Sequence, residues 1–231
     1  MPIGSIAYRR GVTIALLGDR SAHPSHRELD ALIPRLRAEL DVDAAWVATD
    51  GPIDLAAIDG VWLVPGTPYA DEAAVLDVLR EVRERRIPFL GTCGGMQYAV
   101  VEHLRTVLGA PATHAESDGE SADNAVSALA CSLQGERRLV TPTPGTAFAA
   151  WCPEPFDGMH FCSFAPTTQA IAALVADGVV VGATAPDAGA EVLIFPDRPF
   201  AVTSMFQPHI GAADGEPIHP LIRAFVEATR A

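Results

Sequence analysis

The apolar residues Ile87, Pro88, Phe89 and Leu90 run without a break into Gly91-Thr92-Cys93-Gly94-Gly95, and apolar residues return at Ala99, Val100, Leu104 and Val107. The first run has the length and character of a buried strand, and the second has helical spacing. Cys93 is thereby assigned to a turn with no loop on either side of it. Gly91, Gly94 and Gly95 remove side-chain bulk around that turn, as a sharp bend needs when its central residue is strained and presented to a cleft. The helix start adds unpaired N–H groups and the positive end of a macrodipole, which favour a thiolate. A free cysteine is ordinarily a small buried hydrophobe. A glycine-framed cysteine between strand and helix reads instead as a nucleophile.

The rest of the chain extends this βα pattern. Residues 12–17 are apolar throughout, as in a parallel strand buried on both faces. Ser25 and Glu28 have capping-box spacing, after which Leu29, Leu32, Ile33, Leu36 and Leu40 mark one helical face, with Pro34 as a kink or early-turn residue. Strands are expected at 44–48 and 61–64. A helix over 71–86 would turn Val75, Leu79 and Val82 inward and leave Glu81, Arg83, Glu84 and Arg85 solvated. Residues 110–124 read as a surface loop, and 126–141 as short antiparallel strands joined around Gln134-Gly135-Glu136. Residues 151–155 look irregular. From 159 to 164 apolar and polar residues alternate as in a half-buried strand, with His160, Cys162 and Phe164 on one face. A helix at 170–175, strands at 179–183, 192–195 and 200–206, and a last helix at 220–229 complete an α/β pattern. At 231 residues this suits a single domain, 1–231, large enough for a core without disulfides or metals.

Charge narrows the function. A formal net charge of −13 with no basic block leaves no phosphate-neutralising surface. Neither nucleic acid nor an anionic membrane is expected as a partner. Cys93, Cys131, Cys152 and Cys162 form no CxxC pair and the histidines lack zinc-finger spacing, so neither a metal nor another cofactor is called for. Arg9-Arg10 precedes no signal-like apolar stretch, and no run is long enough to span a bilayer. The expected compartment is a reducing cytoplasm.

The stretch from Gly91 to Gln97 resembles the nucleophile motif of class I glutamine amidotransferases, and the residues before it are most similar to the glutaminase domain of CTP synthase. Val64-Pro65-Gly66, Val107-Leu108-Gly109, the stretch from Leu193 to Phe200, and His219-Pro220-Leu221-Ile222 extend the likeness. The resemblance implies a three-layer, flavodoxin-like α/β fold with a largely parallel central sheet and added antiparallel strands. It also implies a small amide such as glutamine as substrate. Cys93 would attack, backbone N–H groups around Gly66, Thr67 and Gly94 would hold the oxyanion, and Gln97 and Glu116 join the candidate substrate contacts. His160 falls in a region that contacts glutamine in CTP synthases.

The pattern breaks at the base. Where the family ends its last strand with His-Pro-Glu, this chain has Gln207-Pro208-His209. Three readings stay open: His209 swings in as base, His160 serves, or the thiol is no longer catalytic and the pocket only binds a ligand or regulates. The phosphate loop of the synthetase half is missing too. Ammonia would then go to a separate partner or to bulk water, and the partners expected are a separate synthetase subunit or further copies of this chain in a homo-oligomer.

Overall fold

The computed structural model describes residues 12–186, 189–196 and 198–231. Arg9 and Arg10, and Asp197 of the Leu193-to-Phe200 landmark, lie outside the described residues. In chain order the elements are β1 (Val12–Leu17), α1 (Pro24–Leu40), β2 (Val42–Val47), β3 (Gly60–Leu63), α2 (Glu72–Glu84), β4 (Phe89–Thr92) and α3 (Gly94–Glu102). Then come β5 (Thr113–His114), α4 (Ala115–Asp118), β6 (Asn124–Ala128), β7 (Glu136–Pro142), α5 (Ala147–Trp151), β8 (Phe156–His160) and β9 (Phe164–Pro166). The chain closes with α6 (Thr168–Ala176), β10 (Val180–Ala185), β11 (Gly189–Ile194), β12 (Ala201–Ser204) and α7 (Pro220–Ala228). Among the described residues no helix is long and apolar enough to cross a membrane.

A nine-stranded sheet runs β2-β1-β3-β4-β12-β11-β10-β7-β8. Its first five strands are parallel and the remaining four antiparallel. The parallel part comes from βα units whose strands are apolar on both faces; Val61 and Leu63 on β3 enter one core layer and Trp62 the other. Helices α2, α3 and α6 cover the first face, and α1, α5 and α7 the second. A small sheet, β5-β6-β9, lies outside α3. All nine residues of α3 are therefore buried. This is the three-layer α/β arrangement expected.

Several local expectations are corrected. The α1 N-cap is His23, whose Nδ1 accepts from the Ser25 N–H at 3.2 Å with Pro24 at the first helical position; Ser25 is buried and no capping box forms. Residues 110–124 are no plain loop, because burying α3 requires the β5–α4 layer. β6 and β7 do not pair with each other: β6 joins the small sheet and β7 the large one. The alternation over 159–164 spans two strands in different sheets, β8 and β9. Beyond Glu102 the helix widens into a π-turn over His103–Val107, which keeps Leu104 inside at 6 % exposure and rotates Val107 out to 40 %.

Two glycines set how closely α3 seats on the sheet. A Cβ on Gly95 would collide with the Leu63 carbonyl, and one on Gly91 would sit 2.7 Å from the Gly95 carbonyl oxygen. These are backbone obstacles, so no rotamer change relieves them.

Candidate active site

β4 ends at Thr92 and α3 begins at Gly94, so Cys93 alone makes the turn, at φ 53° and ψ −108°. A non-glycine residue held there costs on the order of 1–3 kcal/mol and persists only where its surroundings fix it. They do: its N–H donates to the Ser204 carbonyl at 2.7 Å, and its carbonyl accepts from the Met96 and Gln97 N–H groups at 3.0 and 3.2 Å. Ser204 ends β12, whose register with β4 pairs Ser204 with Thr92. The two strands thus deliver Cys93 and Gln207 to one edge of the sheet.

The sulfur is 6 % exposed. Its Sγ is 3.2 Å from Cys162 Sγ and 3.9 Å from the Phe161 carbonyl oxygen. Hydrogen bonding by Cys162 pulls the Cys93 thiol below its ordinary range, helped by the Gly94 N–H and the Gln207 amide; burial and the Glu116 carboxylate work against it. Cys162 is held well above its ordinary range, first by the same bond and then by burial and the negative charges of Cys93 and Glu191. The lower-pKa partner is Cys93, so the shared proton rests on Cys162.

A cavity of about 260 Å³ opens over this pair. Gly66 and Thr67, beyond β3, form one wall and face Gly94: a Cβ on Gly94 would touch Thr67 Cγ2 at 2.5 Å and lie 3.6 Å from the Thr67 nitrogen. Gln97 and Glu116 stand on another wall. Both ends of the Gln97 amide are used, Nε2 donating to the Phe164 carbonyl at 2.7 Å and Oε1 meeting His114 Nε2 at 2.9 Å. Gln97 therefore fixes the wall. Glu116 is exposed and makes no ion pair among the described residues. Among the described residues neither Lys nor Arg lines the cavity.

Residues 29–141 match the family model Glutamine amidotransferase class-I. The CTP synthase of Nitratidesulfovibrio vulgaris strain Miyazaki F is 30 % identical over 199 residues, covering 76 % of this chain and 36 % of that protein. The CTP synthase of Pelotomaculum thermopropionicum is 33 % identical over 190 residues, covering 76 % and 35 %. The glutaminase domain of Trypanosoma brucei CTPS, solved with bound acivicin, superposes with a TM-score of 0.78 at 19 % identity, covering 95 % of this chain and 94 % of that one. The chain belongs to the class I glutamine amidotransferase family. It spans about a third of the length of these CTP synthases.

Gln207, which the resemblance sets at the family's histidine place, lines the cavity beside Cys93, and neither its Oε1 nor its Nε2 reaches a hydrogen-bond partner of ordinary geometry. His209 is 1 % exposed and turned away, its Nε2 2.9 Å from Ser25 Oγ. Burial, with the nearby His26, drives its pKa down to about 3. His160 is fully buried, its Nε2 3.0 Å from both Glu191 carboxylate oxygens and its Nδ1 3.0 Å from the Gly158 carbonyl. Neither histidine lines the cavity. Of the expected set, the fold gathers Cys93, Gln207, Gly66, Thr67, Gln97 and Glu116 there, with Gly94 adjoining.

Sequence reading missed His23 and Cys162. His23 is the only histidine on the cavity wall among the described residues, brought there as the cap of α1 and packed edge-on to Phe161 at 5.3 Å. No local pattern marks such a residue, because its neighbours in space are distant in sequence. Cys162 shares a strand-like alternation with His160, which says nothing about the sulfur it will meet.

Proposed function

We propose that this domain is a small-amide acyl-transfer enzyme, hydrolysing glutamine-like amides through a Cys93 thioester. The observation that carries this is the position of Cys93: a positive-φ turn at the start of α3, with the residue lining a cavity opposite the Gly66–Thr67 wall. The thiolate attacks the amide carbonyl, and the Thr67 and Gly94 N–H groups stabilise the oxyanion. As the C–N bond breaks, the Cys162 thiol gives its proton to the departing nitrogen and ammonia leaves. Thioester formation removes the Cys93 charge that raised the Cys162 pKa, so Cys162 becomes the better acid at the moment it is needed. His209 and His160 are held away from the sulfur by Ser25 and Glu191 and serve the fold. Ammonia passes to a separate synthetase or to water.

Wall charge points to the substrate. Glu116 suits an ammonium group, and among the described residues no Lys or Arg on the cavity wall stands ready for a carboxylate. Free L-glutamine is thus a poor substrate, and 4-aminobutanamide, which is glutamine without its α-carboxylate, a better one. With glutamine rather than histidine at position 207 beside the sulfur, water is poorly activated and deacylation is slow. Rapid-quench assays should show a burst of about one ammonia per chain, with an acyl adduct on Cys93 in the intact mass and neither in C93A. No burst and no adduct from either amide would leave a binding or regulatory protein on the same fold.

A further inference from the structure

The 3.2 Å between Cys93 Sγ and Cys162 Sγ serves no amide chemistry by necessity. A covalent S–S bond is about 2.05 Å long, so closing this pair takes an approach of only about 1.2 Å. Both thiols are free, and Cys162 is 2 % exposed on a segment joining two strands. Both sulfurs line the cavity, Cys93 the more exposed of the two, and Cys162 Sγ lies 3.6 Å from the Met205 carbonyl. We propose that Cys93 and Cys162 form a two-electron redox site, in which a small hydroperoxide oxidises Cys93 and Cys162 closes the product to an intramolecular disulfide.

The steps balance. The Cys93 thiolate attacks one peroxide oxygen, the O–O bond breaks, and Cys93 becomes a sulfenic acid as hydroxide, or alkoxide from an organic hydroperoxide, takes a proton from water. Cys162 then attacks Cys93 Sγ; an S–S bond forms, the S–O bond breaks, and the departing hydroxide takes the Cys162 proton to leave as water. Overall two thiols and one peroxide give one disulfide and two waters, or one water and one alcohol. Cys93 is the attacking sulfur because it is the more exposed of the two on the cavity wall and the more readily ionised, and Cys162, which holds its proton more tightly, resolves. Oxidation ties up the nucleophile, so the same sulfur is open to amides only while reduced.

This inference needs no amide and stands apart from the acyl-transfer reading. The test uses the full chain with hydrogen peroxide. Thiol titration of the denatured protein should fall from four to two, the intact mass should drop by two hydrogens, and peptide mapping should join Cys93 to Cys162. Dithiothreitol should restore all four thiols and iodoacetamide labelling of Cys93. In C162A, and in C162S should C162A fold poorly, Cys93 should instead accumulate a sulfenic acid trapped by dimedone, which the native chain does not. A persistent sulfenic acid or a sulfinic acid on native Cys93, a bond to Cys131 or Cys152, or no thiol loss would overturn the proposal. A chain that forms the disulfide yet gives no ammonia burst when reduced would refute only the acyl-transfer reading.

Discussion

Ser25 Oγ and His209 Nε2 lie 2.9 Å apart in the interior, 184 residues apart in the chain. His209 Nδ1 has no partner, and the ring stands edge-on to Trp62 at 5.7 Å. The contact ties the segment after β12 to α1. Removing one member of a buried hydrogen-bonded pair leaves the other unsatisfied, so S25A should destabilise the fold by about 1–3 kcal/mol. Urea unfolding measures this, and the rate of Cys93 alkylation should not change. Altered alkylation at unaltered stability would move His209 into the site.

Acid should weaken the protein through two buried histidines. Burial lowers His209 to about 3 and His114 to about 4, whereas unfolded histidine titrates near 6.5. Below pH 6.5 the unfolded chain binds protons that the folded chain refuses, so stability falls as pH drops through 6.5 toward 4 and 3. At pH 5 each histidine should cost roughly 2 kcal/mol. A melting series from pH 8 to 4 tests this, and H209Q should flatten the profile.

Iodoacetamide should modify Cys93 ahead of the other cysteines at neutral pH. The comparison with Cys152 is sharpest, because burial pushes that thiol up to about 11 while Cys162 pulls Cys93 below its ordinary range. Mapping at several pH values should place the Cys93 midpoint well below that of Cys152. C162A should raise the Cys93 midpoint, and C162S, which keeps a hydrogen-bond donor, should raise it less. Labelling of Cys93 no faster than the rest would contradict the thiolate assignment.

Replacing Gln207 by histidine, together with H209E, gives the His-Pro-Glu tripeptide that the resemblance implies for this place. The position 207 side chain already lines the cavity next to Cys93. General-base help is worth about 10²–10⁴-fold, so amide turnover should rise measurably over the native chain, with the gain lost when C93A is added. Ammonia release at equal protein concentration is the readout. A folded double variant with no gain would place the defect in substrate contacts rather than in proton transfer.

G95A should be among the most damaging single changes. Its methyl would collide with the Leu63 carbonyl, forcing α3 away from β3 or straining both. Overpacking of this kind costs typically about 1–3 kcal/mol, and a backbone obstacle puts it at the upper end. Chemical denaturation gives the value, and Cys93 labelling should slow as the turn is displaced.

The parallel half of the fold was legible because its information is local. Cys93, Gly94 and Gly95 mark a strand-to-helix turn in consecutive residues, and Val75, Leu79 and Val82 repeat with the helical period. The antiparallel half was harder: Val126 and Val140 sit in similar apolar stretches yet belong to different sheets, a choice made by long-range pairing. At the site, Gln207-Pro208-His209 was plain in sequence. What stands in its neighbourhood was not, since His23 and Cys162 reach the cavity from distant parts of the chain. Ser25 was read as a cap from its spacing to Glu28, but Pro24 starts the helix one position earlier and hands the cap to His23.

The parallel pairing of β12 with β4 has a consequence for how the protein is made. Cys93 leaves the ribosome well before Cys162, Ser204 and Gln207, and the contacts those residues make to its backbone and sulfur wait until they have been made in turn. The nascent chain therefore carries Cys93 as an ordinary thiol until β12 docks beside β4.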